Sequence, residues 1–273
     1  VFKYKTIGQL LSYGHTQNRL LIPVTGFKES ALSFAQARLW FIEQYEGGSN
    51  AYHLPLVFEL EDLTEVEGIK YALQQVVLRH EILRSTIVQQ EGELHAVQRV
   101  GEYPLPIEEI ELRSAEDYVS IIKSDINRPF DLSSSYPMRV KIYRIVSAED
   151  DVVKRVLLIN MHHIASDGWS MDIFQREVLS YYEAYLRKDP LFVLPSLEIQ
   201  YKDFAVWQRS YLTGEVLDNQ LEYWQRKLSD FQPLVFPTDH TRPAEIDYRG
   251  SNEDFRLSKP VSENIFRVGF AQS

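Results

Sequence analysis

Apolar and polar positions along this chain follow two periods, about 3.6 and 2, and the switches between them mark its elements. Ser33-Phe34-Ala35-Gln36 has the form of a capping box, so a helix opens there. It runs through Arg38, Leu39, Trp40 and Ile42 and should stop before Gly47-Gly48. Residues 52–59 alternate as a strand. Thr64-Glu65-Val66-Glu67 is a second capping-box pattern, opening a helix to about Leu78 with Ile69, Leu73, Val76 and Val77 on one face. Arg79-His80-Glu81-Ile82-Leu83-Arg84 then leads into a hairpin over 85–100, turning at Glu91-Gly92. A short helix is predicted over 115–126, and Arg128-Pro129-Phe130-Asp131 breaks it. Residues 138–146 and 152–161 form a long hairpin around Glu149-Asp150-Asp151.

That hairpin's second strand carries the clearest apolar run, Val156-Leu157-Leu158-Ile159-Asn160-Met161. Met171, Phe174, Val178 and Tyr182 then share one face of a helix that reaches about Arg187 and ends at Lys188-Asp189-Pro190. Further helices are predicted over 201–211 and 216–228. From Phe231 the pattern loosens into Pro233, Pro237 and Thr241-Arg242-Pro243, followed by one more strand at 252–257. The sequence stops at Ser273 in what reads as mid-helix. At the other end, residues 1–18 read as a short amphipathic helix begun near Thr6, a tail or the remnant of a preceding domain. Helices and antiparallel hairpins alternate irregularly, which favours an α+β two-layer sandwich over a doubly wound sheet.

Composition narrows the function more than the fold. A net charge of −10 with no basic run argues against a nucleic-acid partner. Without cysteine there are no disulfides, thiolate nucleophiles or Cys-zinc sites. No apolar stretch approaches the ~20 residues of a membrane span and no signal peptide opens the chain, so a soluble cytoplasmic protein without membrane contact is expected.

The candidate chemistry sits where the apolar strand ends, in Met161-His162-His163-Ile164-Ala165-Ser166-Asp167-Gly168-Trp169-Ser170. Neighbouring side chains on a strand diverge, so one histidine should be packed and the other should face a cleft. Imidazole suits proton transfer near neutral pH. An acidic residue nearby, Asp167, can fix the loop through an ion pair, and Gly168 can bring a backbone N–H close to a substrate. Zinc is disfavoured, since adjacent strand histidines diverge and the other five form no ligand spacing. A Ser-His-Asp hydrolase lacks its Gly-x-Ser-x-Gly elbow, and nucleotide binding lacks its glycine-rich loop. Taken alone, Arg79-His80-Glu81 reads as a solvated helix end, and Tyr201-Lys202-Asp203-Phe204-Ala205-Val206-Trp207 as an amphipathic helix start.

In this order, four stretches resemble the condensation domains of nonribosomal peptide synthetases: Ser33 to Phe41, Arg79 to Ser85, Met161 to Ser170 and Tyr201 to Trp207. Arg128-Pro129-Phe130-Asp131-Leu132 and His240-Thr241-Arg242-Pro243 are similar to further family segments. The resemblance covers about Leu20 to the end, and residues 1–18 resemble the last helix of a peptidyl carrier protein. It implies a chloramphenicol acetyltransferase-like fold, with one complete lobe at 19–190 and, at 191–273, inter-lobe helices and the start of a truncated second lobe. The implied reaction is amide formation between donor and acceptor thioesters held on the 4'-phosphopantetheine of two carrier proteins, beside an adenylation domain. No cofactor or metal is expected to be bound directly.

Carried over by position, His163 faces the reaction and Gly168 offers its N–H to the oxyanion. His162 is the packed residue, and Asp167 pairs with an arginine of the second lobe. Arg79 and Arg84 shape the first lobe near the tunnel, while Asp203 and Trp207 brace the junction. The family implies a longer domain, so this chain alone is expected to fold its first lobe without completing an active site. The rivals are an epimerisation domain, which shares His-His-x-x-x-Asp-Gly, and a non-catalytic carrier-docking module. A heterocyclising relative would carry Asp where His162 stands.

Overall fold

The apolar run before the double histidine forms the long strand β7 (Val152–His162), and the first unit is built on its two faces. In this computed structural model the described residues are 21–46, 50–89, 95–113, 116–148, 151–234, 237–241 and 255–271. The expectations for residues 1–18, for the turns at Glu91-Gly92 and Glu149-Asp150, and for Gly47-Gly48 lie outside them. On one side β7 pairs antiparallel with β2 (His53–Leu60), on the other with β6 (Met138–Val146). The parallel neighbour of β6, β5 (Ile107–Arg113), completes a four-stranded sheet ordered β2-β7-β6-β5.

Such a strand, apolar at every position but one from Val156 to Met161, needs cover on both faces. On one, Val140, Ile142, Ile159 and Met161 pack against α2 (Val66–Arg79) and α4 (Gly168–Leu186) through Leu73, Val76, Val77, Phe174 and Tyr181. On the other, Tyr143, Ile145, Val156 and Leu158 meet Ile122 of the short helix α3 (Tyr118–Asn127). A second sheet of three strands runs β1 (Glu29–Ala31), β4 (Val97–Val100), β3 (Ser85–Val88). Its Ile87 shares a core with Leu39 of α1 (Phe34–Glu46) and with Phe130, Leu132 and Ile164. This is the α+β sandwich expected from the sequence.

The first capping box is present: the Gln36 backbone N–H donates to Ser33 Oγ at 3.1 Å and Ser33 N–H to Gln36 Oε1 at 3.0 Å. Thr64, by contrast, does not cap its helix. The N-cap of α2 is Glu65 without a side-chain cap, and its N–H donates instead to the Tyr182 hydroxyl at 3.0 Å. Arg155 donates to the Thr64 carbonyl at 3.2 Å, so partners distant in sequence take the place of the local cap. The pattern also hides β5, whose Ile107-Glu-Glu-Ile-Glu-Leu-Arg breaks strict alternation at a sheet edge. Because β5 and β6 run parallel, a crossover has to join them, and α3 lies within it.

Two helices follow the first sandwich, α5 (Tyr201–Tyr211) and α6 (Gly214–Leu228), and the first compact unit extends to Asp230. The second, Phe231–Ser273, contains α7 (Lys259–Ala271); residues 255–257, expected as the end of a strand, are irregular. Among the described residues no helix is long and apolar enough to cross a membrane.

Candidate active site

β7 ends at His162, the chain turns through His163-Ile164-Ala165, and α4 begins at Gly168. The alternation of the strand carries into the turn, so Met161 and His163 line one cleft while His162 points away from it. The His162 ring is completely buried, and both of its nitrogens are used. Nδ1 accepts the Ile164 N–H at 3.0 Å, and Nε2 lies 3.0 Å from Glu43 Oε1. An acceptor at one nitrogen and a carboxylate at the other require the neutral ring with its proton on Nε2. Beneath it, His53 donates from Nδ1 to the Ile126 carbonyl at 2.7 Å, and burial pulls its pKa below the ordinary 6.5. The side of the strand away from the cleft is thus a packed layer of imidazoles, edged by Phe130.

His163 differs on every count. Its backbone N–H is pinned to the Tyr52 carbonyl at 2.8 Å while its ring is exposed in the cleft. The cleft encloses about 680 Å³ between apolar walls that include Leu83, Ile173, Phe174 and Leu197. Arg38, His80, Asp167 and Tyr201 are its other charged or titratable lining.

Within this chain Asp167 holds the turn as the N-cap of α4, a role that needs no ion pair. Its carboxylate accepts the Ser170 N–H at 2.9 Å and the Ser170 hydroxyl at 2.6 Å. The Ser170 hydroxyl and N–H outweigh desolvation and hold the Asp167 carboxyl below the usual aspartate value, and nearby His163 adds to the effect. Gly168 is the first helical residue, where a backbone N–H has no intrahelical acceptor, and a side chain there would meet open space.

The remaining sequence-derived residues surround the cleft without lining it. Arg79 donates from Nε to Glu177 at 3.2 Å and from Nη1 to the Pro195 carbonyl; Arg84 donates to the Gly101 carbonyl at 2.6 Å. Far from a solvated helix end, this segment is a half-buried ionic junction that also pairs Glu81 with Lys202 at 2.8 Å. Asp203, 1% exposed, accepts from Gln200 N (2.8 Å), Thr25 N (2.9 Å) and Thr25 Oγ1 (2.8 Å). Burial works against its charge, but these donors prevail and hold its pKa low. Trp207 stacks on Tyr211 with ring centroids 4.9 Å apart and backs Phe204, which does line the cleft.

Two groups that motif spacing did not single out belong to the same region. His80 lines the cleft, and its Nε2 lies 2.6 Å from Glu177 Oε2. The clue in the sequence is Glu177 itself, an acidic residue on the buried face of α4 shared by Phe174, Tyr181 and Ala184. Among the described residues no group of three or more His, Asp or Glu is arranged to hold a metal ion.

Comparison with known proteins agrees with this architecture. The family described as Condensation domain matches residues 28–273. A linear gramicidin synthase of Brevibacillus parabrevis is 38% identical over 255 residues, 91% of this chain but 5% of that protein. An X-domain solved in complex with OxyB from teicoplanin biosynthesis superposes with a TM-score of 0.69 at 27% identity, over 84% of this chain and 50% of that one. The epimerization domain from the third module of tyrocidine synthetase B has a TM-score of 0.68 at 21% identity, over 90% and 55%, and is a likeness of fold. The chain therefore spans a small part of the curated relatives it matches and about half of the solved domains.

Proposed function

The chain belongs to the condensation-domain family of nonribosomal peptide synthetases, and on that premise we propose that it carries the His163 side of an amide-forming site. The substrates are two thioesters, each on the 4'-phosphopantetheine arm of a carrier protein, one a donor and one an acceptor. The acceptor's amine nitrogen attacks the donor's thioester carbon. A C–N bond forms, the C–S bond breaks, and the amine's proton accounts for the thiol released on the donor arm.

The single observation that carries this reading is an imidazole exposed in an apolar cleft, on a backbone pinned by Tyr52, in the turn that leads into α4. An α-amino group has a pKa of about 7.7–8.0, so on the order of a tenth is already neutral at pH 7. His163 therefore has two useful tasks: accepting the proton that leaves as the amide forms, and orienting the amine lone pair toward the carbonyl. The Gly168 N–H is suited to the oxygen that gains charge in the tetrahedral intermediate, provided that oxygen settles at the helix N-terminus. Asp167 keeps that terminus in register. The working partners are the two carriers and a neighbouring adenylation domain, in the cytoplasm, with no nucleic acid, membrane, metal or resident cofactor.

The likeness to an X-domain bound to OxyB favours a second reading, a module that docks partners without chemistry. Replacing His163 by Ala in a polypeptide carrying the whole domain separates the two. With both carriers loaded, amide formation should fall by about 10²–10⁴-fold while carrier binding is unchanged. Undiminished product would overturn the catalytic reading.

A further inference from the structure

Resting on that assignment of the cleft, we propose that His80 is its second working imidazole, a fixed acceptor that binds the free amine of the acceptor aminoacyl group. His80 is the C-cap of α2 in extended backbone, clamped by its N–H to the Val76 carbonyl and by its own carbonyl to the Leu83 N–H, both at 3.0 Å. Its ring is fixed as well. Nε2 meets Glu177 Oε2 at 2.6 Å, while the other carboxylate oxygen accepts Arg79 Nε at 3.2 Å. A carboxylate can only accept, so the proton on that side belongs to Nε2. In the neutral form of the ring Nδ1 is then the acceptor, and it has no partner among the described residues.

Three features make that lone pair a binding group rather than a leftover of packing. His80 lines the same cleft as His163, so one bound substrate can extend to both residues. Ile82, Leu83 and Phe174 line the cleft with it, and water competes poorly with a hydrogen bond made against such apolar walls. Arg79 offsets the charge of Glu177, so the site offers a polarised acceptor without net negative charge. A carboxylate behind an imidazole fixes its tautomer and strengthens the far nitrogen as an acceptor, as it does behind metal-bound histidines. The chemistry that fits is an N–H donor on an otherwise apolar group. In the proposed reaction that donor is the α-amine of the acceptor, which is held at His80 while its lone pair stays free for attack. His80 touches substrate and does not take up the proton released by the reaction.

The probe is a leucyl amide of aminopantetheine, a stable stand-in for the acceptor thioester, compared with its des-amino analogue, which lacks the α-nitrogen. On the chain labelled with ¹⁵N-histidine, titration with the free amine should move the Nδ1 resonance of His80, and the des-amino compound should bind about five-fold or more weakly. His80→Asn puts an amide oxygen near the lost Nδ1 and should keep much of that preference; His80→Phe should abolish it, and in a polypeptide carrying the whole domain KM for the acceptor should rise more than kcat falls. An unmoved Nδ1 signal, absent binding by the unmodified chain, or an undiminished preference in His80→Phe would each overturn the assignment. His163→Ala separates the two claims: turnover should be lost while titration with the free amine still moves the Nδ1 resonance of His80.

Discussion

Two imidazoles in the first unit lean on glutamates, and only one of the two pairs is closed off. His162 and Glu43 meet at 3.0 Å with neither side chain more than 4% exposed, and the Ile164 N–H occupies the remaining ring nitrogen. His80 and Glu177 meet at 2.6 Å near the cleft, and the second ring nitrogen has no partner among the described residues. The carboxylates differ too. Hydrogen bonds to Glu177 come from both Arg79 and His80, so the loss of one leaves the other. The buried ring of His162 stands between Glu43 and an unpaired charge in the interior. The first pair fastens a helix to a strand end, and the second presents a nitrogen to whatever enters the cleft.

The widest gap between the pairs should appear on truncation. His162→Ala leaves the Glu43 carboxylate buried without its donor and should cost about 3–5 kcal/mol in urea unfolding. His80→Ala should cost no more than about 1–2 kcal/mol, since Arg79 still serves Glu177. Converting both His162 and Glu43 to Leu should recover most of the first loss, because nothing charged then remains to be solvated. Equal losses for His162→Ala and His80→Ala would mean that the two pairs are energetically alike and that the open nitrogen is incidental.

Much of this contrast is legible in the sequence, but not all in the same way. The strand Val156 to Met161 and the face Met171, Phe174, Val178 follow from spacing, because one rigid period governs each. That one of two adjacent strand histidines must turn inward follows from pleating alone. Which one does so rests, in the sequence, on family resemblance, since Met161 and Ile164 flank the pair with nearly equal hydrophobicity. Partners distant in the chain escape such a reading. Glu43 lies 119 residues from His162 and Glu177 lies 97 from His80, and no local pattern ties such positions together. The same holds for Tyr182 at the start of α2 and for β5, whose strand character depends on a neighbour, β6, that follows a crossover.

Two aspartates repeat the contrast at lower stakes. Asp203 is enclosed by donors from Gln200 and Thr25, while Asp167 caps its helix in the open. Asp203→Asn swaps one oxygen for a donor that faces other donors, and should cost about 1.5–3 kcal/mol at pH 7. Since the folded carboxyl is held below the ordinary 3.8, the unfolded chain takes up the proton first as acid is added. The stabilisation is therefore complete above that value and fades as pH drops through the lower, folded one. Unfolding curves for wild type and variant should begin to draw together as pH falls below about 4 and meet once it is below the folded value. A constant gap down to strong acid would show that shape, not charge, holds Asp203.

The smallest expected change is at Asp167, and it tells most about the open side. Asp167→Ala removes the cap of α4 and should cost about 1 kcal/mol; Asp167→Ser, itself a good cap, should return nearly all of it. Stability thus cannot distinguish a capping carboxylate from a capping hydroxyl, but turnover can. The Asp167 carboxylate interacts electrostatically with His163, so the serine variant keeps the helix terminus and removes the charge beside the imidazole. If Asp167 matters only because it keeps the Gly168 N–H in place, amide formation in Asp167→Ser should match the wild type across pH. If the charge also acts on His163, amide formation in Asp167→Ser should depart from the wild type although the fold is as stable, and the two pH profiles should differ. A stable serine variant with an unshifted profile would leave Asp167 as a cap and His163 to act without its help.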